Sequence, residues 1–281
     1  MERARTALGA GAAAKRVTID GVRLAYRDEG AGPPLLCLHS IAHGSRDFEG
    51  LCERMRSRYR VIALDWPGHG ASDDDHEPAS ATRYAALLAG FVEAVALPPL
   101  VLLGNSIGGA AALGYAAAHP AHVRALVLVD SGGLVPVGAA ARLMTSVMAR
   151  LFAAGAHGAR WFPRAFALYY RLVLPAAPAR AQRERIVAAA RESAPTLAQA
   201  WASFGTPDAD LRALAAALGC PVLVAWARSD RVIPLLLTRR ALERIRDAEI
   251  VTFPGGHAPF LECPERFFPV LEGFLARALG R

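Results

Sequence analysis

The chain has 281 residues, of which 53% are hydrophobic and 20% are charged, and its formal net charge is +7. This length allows one large α/β domain with an insertion, or two small domains. No apolar run reaches the ~18 to 20 residues that cross a bilayer, so we expect no transmembrane segment. The four cysteines lack the spacing of disulfide pairs or metal sites, which predicts a cytoplasmic protein without a bound metal or cofactor.

Residues 1–16 resemble a signal peptide only superficially, because the stretch is rich in glycine and alanine and has a single leucine. We predict a disordered lead-in there. After it, residues 17–28 alternate apolar and polar side chains around a turn, which predicts an antiparallel hairpin.

The rest of the chain alternates between short apolar runs and stretches of helical periodicity. Strands are predicted at 34–38, 59–64, 100–103, 125–129, 220–226 and 249–253. Helices are predicted at 83–96, 108–119, 234–246 and 264–279. Because the strands are nearly all apolar and alternate with helices, the pattern indicates a parallel sheet covered on both faces. Residues 17–133 and 219–281 are therefore predicted to form one α/β core.

Residues 134–218 interrupt this alternation with helical, alanine- and arginine-rich sequence, and we predict a helical cap inserted between two strands. Residues 132–218 hold ten arginines against four acidic residues, a net charge of +6. An anionic substrate or carrier, an anionic membrane surface, or an arginine-rich coding bias would explain this charge. Because Lys15 is the only lysine in the chain, coding bias is favoured. No motif indicates nucleic-acid binding, and the oligomeric state is left open.

The most informative stretch is residues 99–109, PLVLLGNSIGG, with Ser106 between Gly104 and Gly108. An apolar strand precedes the serine and a helix of small residues follows it, which is the context of the G-x-S-x-G nucleophile elbow. Such a turn holds the serine in a strained backbone and exposes its oxygen above the sheet. Ser106 is the predicted nucleophile.

A serine hydroxyl needs a base within hydrogen-bond distance and a third group that orients the base. His257, directly after the last predicted strand, is the predicted base. Asp230, after the strand that follows the cap, is the predicted orienting acid, and Asp130, after the strand that follows the elbow helix, is the alternative. The chain order Ser, Asp, His matches that of the α/β-hydrolases rather than of chymotrypsin or subtilisin.

Together these motifs resemble the α/β-hydrolase superfamily over residues 17–281 apart from the cap. Residues 65–72, DWPGHGAS, are similar to the loop that these enzymes carry after the fourth strand, and residues 256–265 to their histidine loop. The resemblance implies a mostly parallel eight-stranded sheet with helices on both faces and a helical cap. It also implies that His69, in a variable position of its loop, is structural.

The resemblance further implies an oxyanion hole made by the backbone N–H groups of Ile107 and Ile41. The loop that holds Ile41 departs from the family pattern, because Ser40 stands where glycine is usual. In the same loop, His43 either lines the pocket or braces the loop, and the sequence favours neither.

The function predicted is hydrolysis of a carboxylic ester, thioester or lactone of a fairly apolar small molecule through an acyl-enzyme on Ser106. Because the elbow also resembles that of the meta-cleavage-product hydrolases, carbon–carbon bond hydrolysis is an alternative. Those relatives usually have tryptophan after the histidine, whereas this chain has Ala258. A non-catalytic ligand-binding protein of this fold is a further alternative.

Overall fold

The computed structural model describes residues 14–280, and the predicted lead-in lies outside this range over residues 1–13. Its centre is an eight-stranded sheet in the order β1-β2-β4-β3-β5-β6-β7-β8. The strands are β1 (Lys15–Ile19), β2 (Val22–Glu29), β3 (Pro34–Leu38), β4 (Arg60–Leu64), β5 (Leu100–Asn105), β6 (Val123–Val129), β7 (Val222–Ala227) and β8 (Ala248–Phe253). The hairpin begins two residues earlier than predicted, since Lys15 and Arg16 pair with β2.

Strand β2 is antiparallel to both of its neighbours, and all the pairings from β4 to β8 are parallel. This confirms the predicted mostly parallel sheet. Strands β3, β5 and β7 are buried along their whole length, as expected for strands covered on both faces. Their continuous apolar sequence follows from this burial, because neither face of these strands meets water.

In the part of the chain that the structure describes, six α-helices belong to the α/β core outside residues 134–218. They are α1 (Glu49–Met55), α2 (Ala81–Ala94), α3 (Ile107–Ala118), α9 (Leu235–Leu242), α10 (Pro259–Glu262) and α11 (Pro264–Ala278). The sequence did not predict α1 and α10. The helix predicted at 234–246 ends at Leu242, because the chain turns through Ile245, whose N–H bonds the Leu242 carbonyl, and reaches positive φ at Asp247.

Five helices lie between β6 and β7, in the segment that we call the predicted cap (residues 134–218). They are α4 (Ala139–Ala156), α5 (Phe162–Val173), α6 (Arg180–Ala188), α7 (Ala190–Ser203) and α8 (Arg212–Ala216). An aromatic cluster joins three of them: the ring of Phe152 on α4 lies about 6 Å from those of Phe162 and Phe166 on α5 and of Trp201 on α7. These rings are buried, so they form the internal core of this segment.

Within the described residues, no helix has both the length and the apolar character to cross a membrane. The same part of the chain contains Cys37, Cys52, Cys220 and Cys263, all as free thiols.

Candidate active site

The C-terminal ends of five neighbouring parallel strands form the edge at which the predicted site residues meet. Leu38 at the end of β3 pairs with Gly104 of β5, and Asn105 of β5 pairs with Val129 of β6. Ala227 and Phe253 then pair at the ends of β7 and β8. Because the strands end in register, the segments that follow them leave the sheet at one edge, which is where open α/β sheets bind ligands.

Ser106 occupies the turn between β5 and α3 with φ of 57° and ψ of −119°. A non-glycine residue at positive φ is strained and is retained only where surrounding structure holds it. Two backbone bonds do so here: the Ser106 N–H donates to the Val129 carbonyl at 3.0 Å, and the Ser106 carbonyl accepts the Gly132 N–H at 2.9 Å. The turn therefore has the conformation expected of a nucleophile elbow.

Close backbone packing requires the glycines two residues before and two residues after Ser106. A Cβ atom at Gly104 would lie 2.4 Å from the Gly108 carbonyl oxygen, and one at Gly108 would lie 2.4 Å from the Leu38 carbonyl oxygen. Side-chain atoms do not approach so closely, so only glycine allows α3 to begin directly against β3. This packing also places the first turn of α3 against Leu38 and His39, where the loop that carries Ile41 begins.

His257 and Asp230 form a buried hydrogen-bonded pair. Nδ1 of His257 lies 2.9 Å from Oδ2 of Asp230, and the two side chains are 3% and 0% exposed. The other carboxylate oxygen of Asp230 accepts the N–H groups of Val232 at 2.7 Å and Ile233 at 3.0 Å, which fix its orientation. Because a carboxylate accepts hydrogen bonds, Nδ1 carries the proton and Nε2 keeps its lone pair for a proton from another group.

Two side chains position the backbone around His257. The Asn105 amide, next to Ser106, donates to the carbonyl of His257 at 3.0 Å and to that of Val129 at 3.1 Å. On the other side, Oε2 of Glu262 accepts the His257 N–H at 3.0 Å. The elbow and the histidine loop are thus joined directly. The sequence analysis assigned no role to Asn105 or Glu262. The sequence does hold a signal for Glu262, which is the single acid in the apolar run after His257.

Asp130, the alternative acid, lies beside this pair. Asp130, Asp230 and His257 each place a potential ligand atom within 4.8 Å of the others. One oxygen of Asp130 accepts the Ala227 N–H at 2.7 Å, and the other is buried without a hydrogen-bond partner. Burial, and secondarily the charge of Asp230, raises the pKa of Asp130 well above its ordinary value. His257 thus bonds Asp230, while Asp130 lies buried beside the pair.

The loop after β3 is held by two histidines in neutral form. His39 accepts the Trp66 N–H on Nε2 at 3.0 Å and donates from Nδ1 to the Ser40 carbonyl at 2.6 Å. His69 accepts the Ala42 N–H on Nε2 at 2.8 Å and donates to the Pro67 carbonyl at 2.8 Å. Burial lowers the pKa of His39 to about 4 and that of His69 to about 3. Both are structural, as the sequence indicated for His69.

The serine at position 40 fits this loop because the strained conformation falls elsewhere. Among the described non-glycine residues of the loop, positive φ occurs at Ala42, at 63°. The Ser40 carbonyl also accepts the His43 N–H at 3.2 Å, closing a turn around Ile41, which is buried. Glycine is therefore not needed at Ser40.

His43 braces the loop. Its Nδ1 bonds Asp47, which also lies 3.3 Å from the guanidinium of Arg185 on α6. The His43 ring packs 5.9 Å from that of Tyr170 on α5. Of the two roles that the sequence left open for His43, lining the pocket or bracing the loop, these contacts favour bracing the loop.

Comparison with known proteins agrees with this geometry. The family model described as "Alpha/beta hydrolase family" matches residues 35–270, so the chain belongs to the alpha/beta hydrolase family. The pimeloyl-[acyl-carrier protein] methyl ester esterase of Xanthomonas campestris is 31% identical over 254 residues, covering 88% of this chain and 96% of that protein. The 2-(acetamidomethylene)succinate hydrolase of Mesorhizobium japonicum is 36% identical over 116 residues, 41% of this chain and 42% of that protein.

Among solved structures, an esterase from Rhodococcus sp. ECU1013 is similar with a TM-score of 0.77 and 26% identity. The superposition covers 94% of this chain and 98% of the esterase chain. These comparisons support hydrolysis as the class of reaction.

Proposed function

We propose that the protein is a serine hydrolase that cleaves a carboxylic ester, thioester or lactone through an acyl-enzyme on Ser106. One observation carries the proposal: a serine in a strained strand-to-helix turn lies at the same sheet edge as a buried His257–Asp230 pair. A serine nucleophile needs a general base and a group that orients this base, and the His257–Asp230 pair supplies both.

In this mechanism the hydroxyl of Ser106 attacks the substrate carbonyl while Nε2 of His257 takes its proton. The carboxylate of Asp230 stabilises the imidazolium that forms. The N–H groups of Ile41 and Ile107 bind the developing oxyanion, and each such donor contributes about 10² to 10³ in rate. His257 then protonates the leaving group, and it activates the water that releases the acyl group.

We further propose that the predicted cap covers this edge and sets substrate preference. Three contacts connect it to the loops that carry the site. They are the ring contact between Tyr170 and His43, the bond of Arg185 to Asp47, and the bond of the Ala176 N–H to Glu262 at 3.2 Å. The ring of Tyr170, which packs on that of His43 at this edge, favours an apolar acyl or alcohol group. An ester is favoured because the 31%-identical relative is named an esterase.

The test is a series of p-nitrophenyl esters of increasing acyl length, run beside labelling with a fluorophosphonate probe. Turnover of esters together with labelling of Ser106 is the expected result. Turnover of a ring-opened dienoate without turnover of esters would establish the carbon–carbon hydrolase instead. Absence of both turnover and labelling would favour a ligand-binding protein. A cytoplasmic location stays a prediction from the four free thiols.

A further inference from the structure

Glu262 is a buried carboxylate whose four hydrogen-bond partners are all backbone N–H groups. Its Oε2 accepts the N–H of Gly256 at 2.7 Å, of His257 at 3.0 Å and of Ala258 at 3.2 Å. Its Oε1 accepts the N–H of Ala176 at 3.2 Å. Three consecutive N–H groups centred on His257 therefore converge on one oxygen.

Burial of an acid is costly unless its oxygens are hydrogen-bonded. Here every side-chain hydrogen bond of the carboxyl group is accepted from a backbone N–H group. Glu262 is 3% exposed. A donor set of this kind matches the ionised form, which accepts and cannot donate. The fixed negative charge thus lies against the backbone of the proposed base.

The second oxygen connects the same carboxylate to the predicted cap. Ala176 lies in the loop between α5 and α6, just after Val173, the last residue of α5. That loop packs tightly on the histidine loop, since a Cβ atom at Gly256 would lie 2.3 Å from the Val173 carbonyl oxygen. Glu262 therefore occupies the joint between the histidine loop and the predicted cap.

We propose that Glu262 is a positioning residue that sets the location and the charge environment of His257 and links both to the predicted cap. The inference rests on the proposed role of His257 as general base. Glu262 acts through the main chain: it holds residues 256–258 so that the imidazole reaches Asp230 and Ser106 together. A misplacement of about 1 Å in such a site can cost about 10²-fold in rate.

Three acidic side chains surround His257 from different elements. Asp230 follows β7, Asp130 follows β6, and Glu262 belongs to α10. From α5, the phenol of Tyr169 lies within range of the Asp230 charge. A negative charge near the histidine favours its protonated form. Removal of the Glu262 charge therefore moves the acid limb of kcat/KM to lower pH.

Glu262→Gln is the informative substitution. The matched control is Glu265→Gln, at an exposed position three residues later in the chain. A glutamine has one acceptor oxygen and one donor group, so it cannot accept from both residues 256–258 and Ala176. We expect kcat for p-nitrophenyl butyrate and the rate of fluorophosphonate labelling to fall by about ten- to a hundredfold. We expect KM to change little and the acid limb of the kcat/KM profile to move to lower pH. Glu265→Gln should behave as the wild type.

Glu262→Asp separates position from charge and serves where Glu262→Gln does not fold. It keeps the charge on a shorter side chain, so it is expected to lose rate while its acid limb stays in place. A wild-type rate and pH profile in Glu262→Gln, or a wild-type rate in Glu262→Asp, would overturn the inference. Failure of the wild-type protein to react with the probe would instead overturn the proposed function, and this inference with it.

Discussion

Nδ1 of His257 and Oδ2 of Asp230 lie 2.9 Å apart, although 27 residues separate the two in the chain. The contact exists because β7 and β8 are parallel neighbours whose last residues, Ala227 and Phe253, are paired. Each side chain sits a few residues past its strand, so both loops leave the sheet at one edge. The pair is a product of strand order and register rather than of local sequence.

Ser106→Ala and His257→Ala are each expected to lower turnover by about 10⁶, and the double variant by little more, because members of a triad act as a unit. The measurement is kcat for an activated ester, with circular dichroism to establish folding. Ser203→Ala, on α7, is the matched serine control and should retain full activity. Additive losses in the double variant would show that the two residues do not act in one step.

Asp230→Asn is expected to lower turnover by about 10⁴, because the amide disrupts the histidine tautomer that the carboxylate selects. Asp130→Asn should change the rate by less than tenfold, since neither oxygen of Asp130 orients the histidine: one accepts the Ala227 N–H and the other has no hydrogen-bond partner. Both variants keep the volume of the side chain. A change below tenfold for Asp230→Asn, with activity abolished in Asp130→Asn, would assign the orienting acid to Asp130.

Gly108→Ala should destabilise the protein and remove activity, because the new Cβ atom would lie 2.4 Å from the Leu38 carbonyl oxygen. Overpacking of this kind costs about 1 to 3 kcal/mol of unfolding free energy or more. The control lies in the same helix: a Cβ atom at Gly114 meets its nearest neighbour at 3.5 Å. Gly114→Ala should leave activity intact and raise stability by about 0.5 to 1 kcal/mol. Urea denaturation measures both, and equal effects would contradict the packing argument.

The free energy of unfolding should decrease as the pH is lowered below about 6.5, because histidine in the unfolded chain begins to bind protons there. In the folded state, burial lowers the pKa of His39 to about 4 and that of His69 to about 3. Between these values and 6.5 the unfolded state binds more protons, so each residue contributes a loss of up to about 1.4 kcal/mol per pH unit. Urea midpoints at pH 7, 6 and 5 measure this loss.

A variant tests the assignment of that acid sensitivity. His69→Gln should be less stable than the wild type at pH 7, because the bond to the Ala42 N–H is disturbed, but its stability should depend less steeply on pH. His76→Gln, at an exposed position, should keep the wild-type slope. An unchanged slope in His69→Gln would show that other groups cause the acid sensitivity.

Much of the fold could be predicted from hydrophobic pattern alone. The hairpin, the buried strands and helix α3 were located to within two or three residues, because burial on both faces requires continuous apolar runs and the elbow requires Gly104 and Gly108. Helices α1 and α10 were missed because they are only 7 and 4 residues long, too short for a clear period. Helix α9 was predicted too long, since turns at its end keep helical spacing of apolar residues.

The sequence by itself determined the class of fold, the strained serine turn and the short set of residues that follow the strands at one edge. It also marked the departure at Ser40. Only the tertiary structure decided that His257 bonds Asp230 while Asp130 stays buried beside them, because both acids follow strands at the same edge and only packing distinguishes them. Likewise, Glu262 became significant only when the structure showed its carboxylate accepting the N–H of Ala176 as well as those of the histidine loop, because Ala176 lies 86 residues away in the chain and no local pattern encodes that contact.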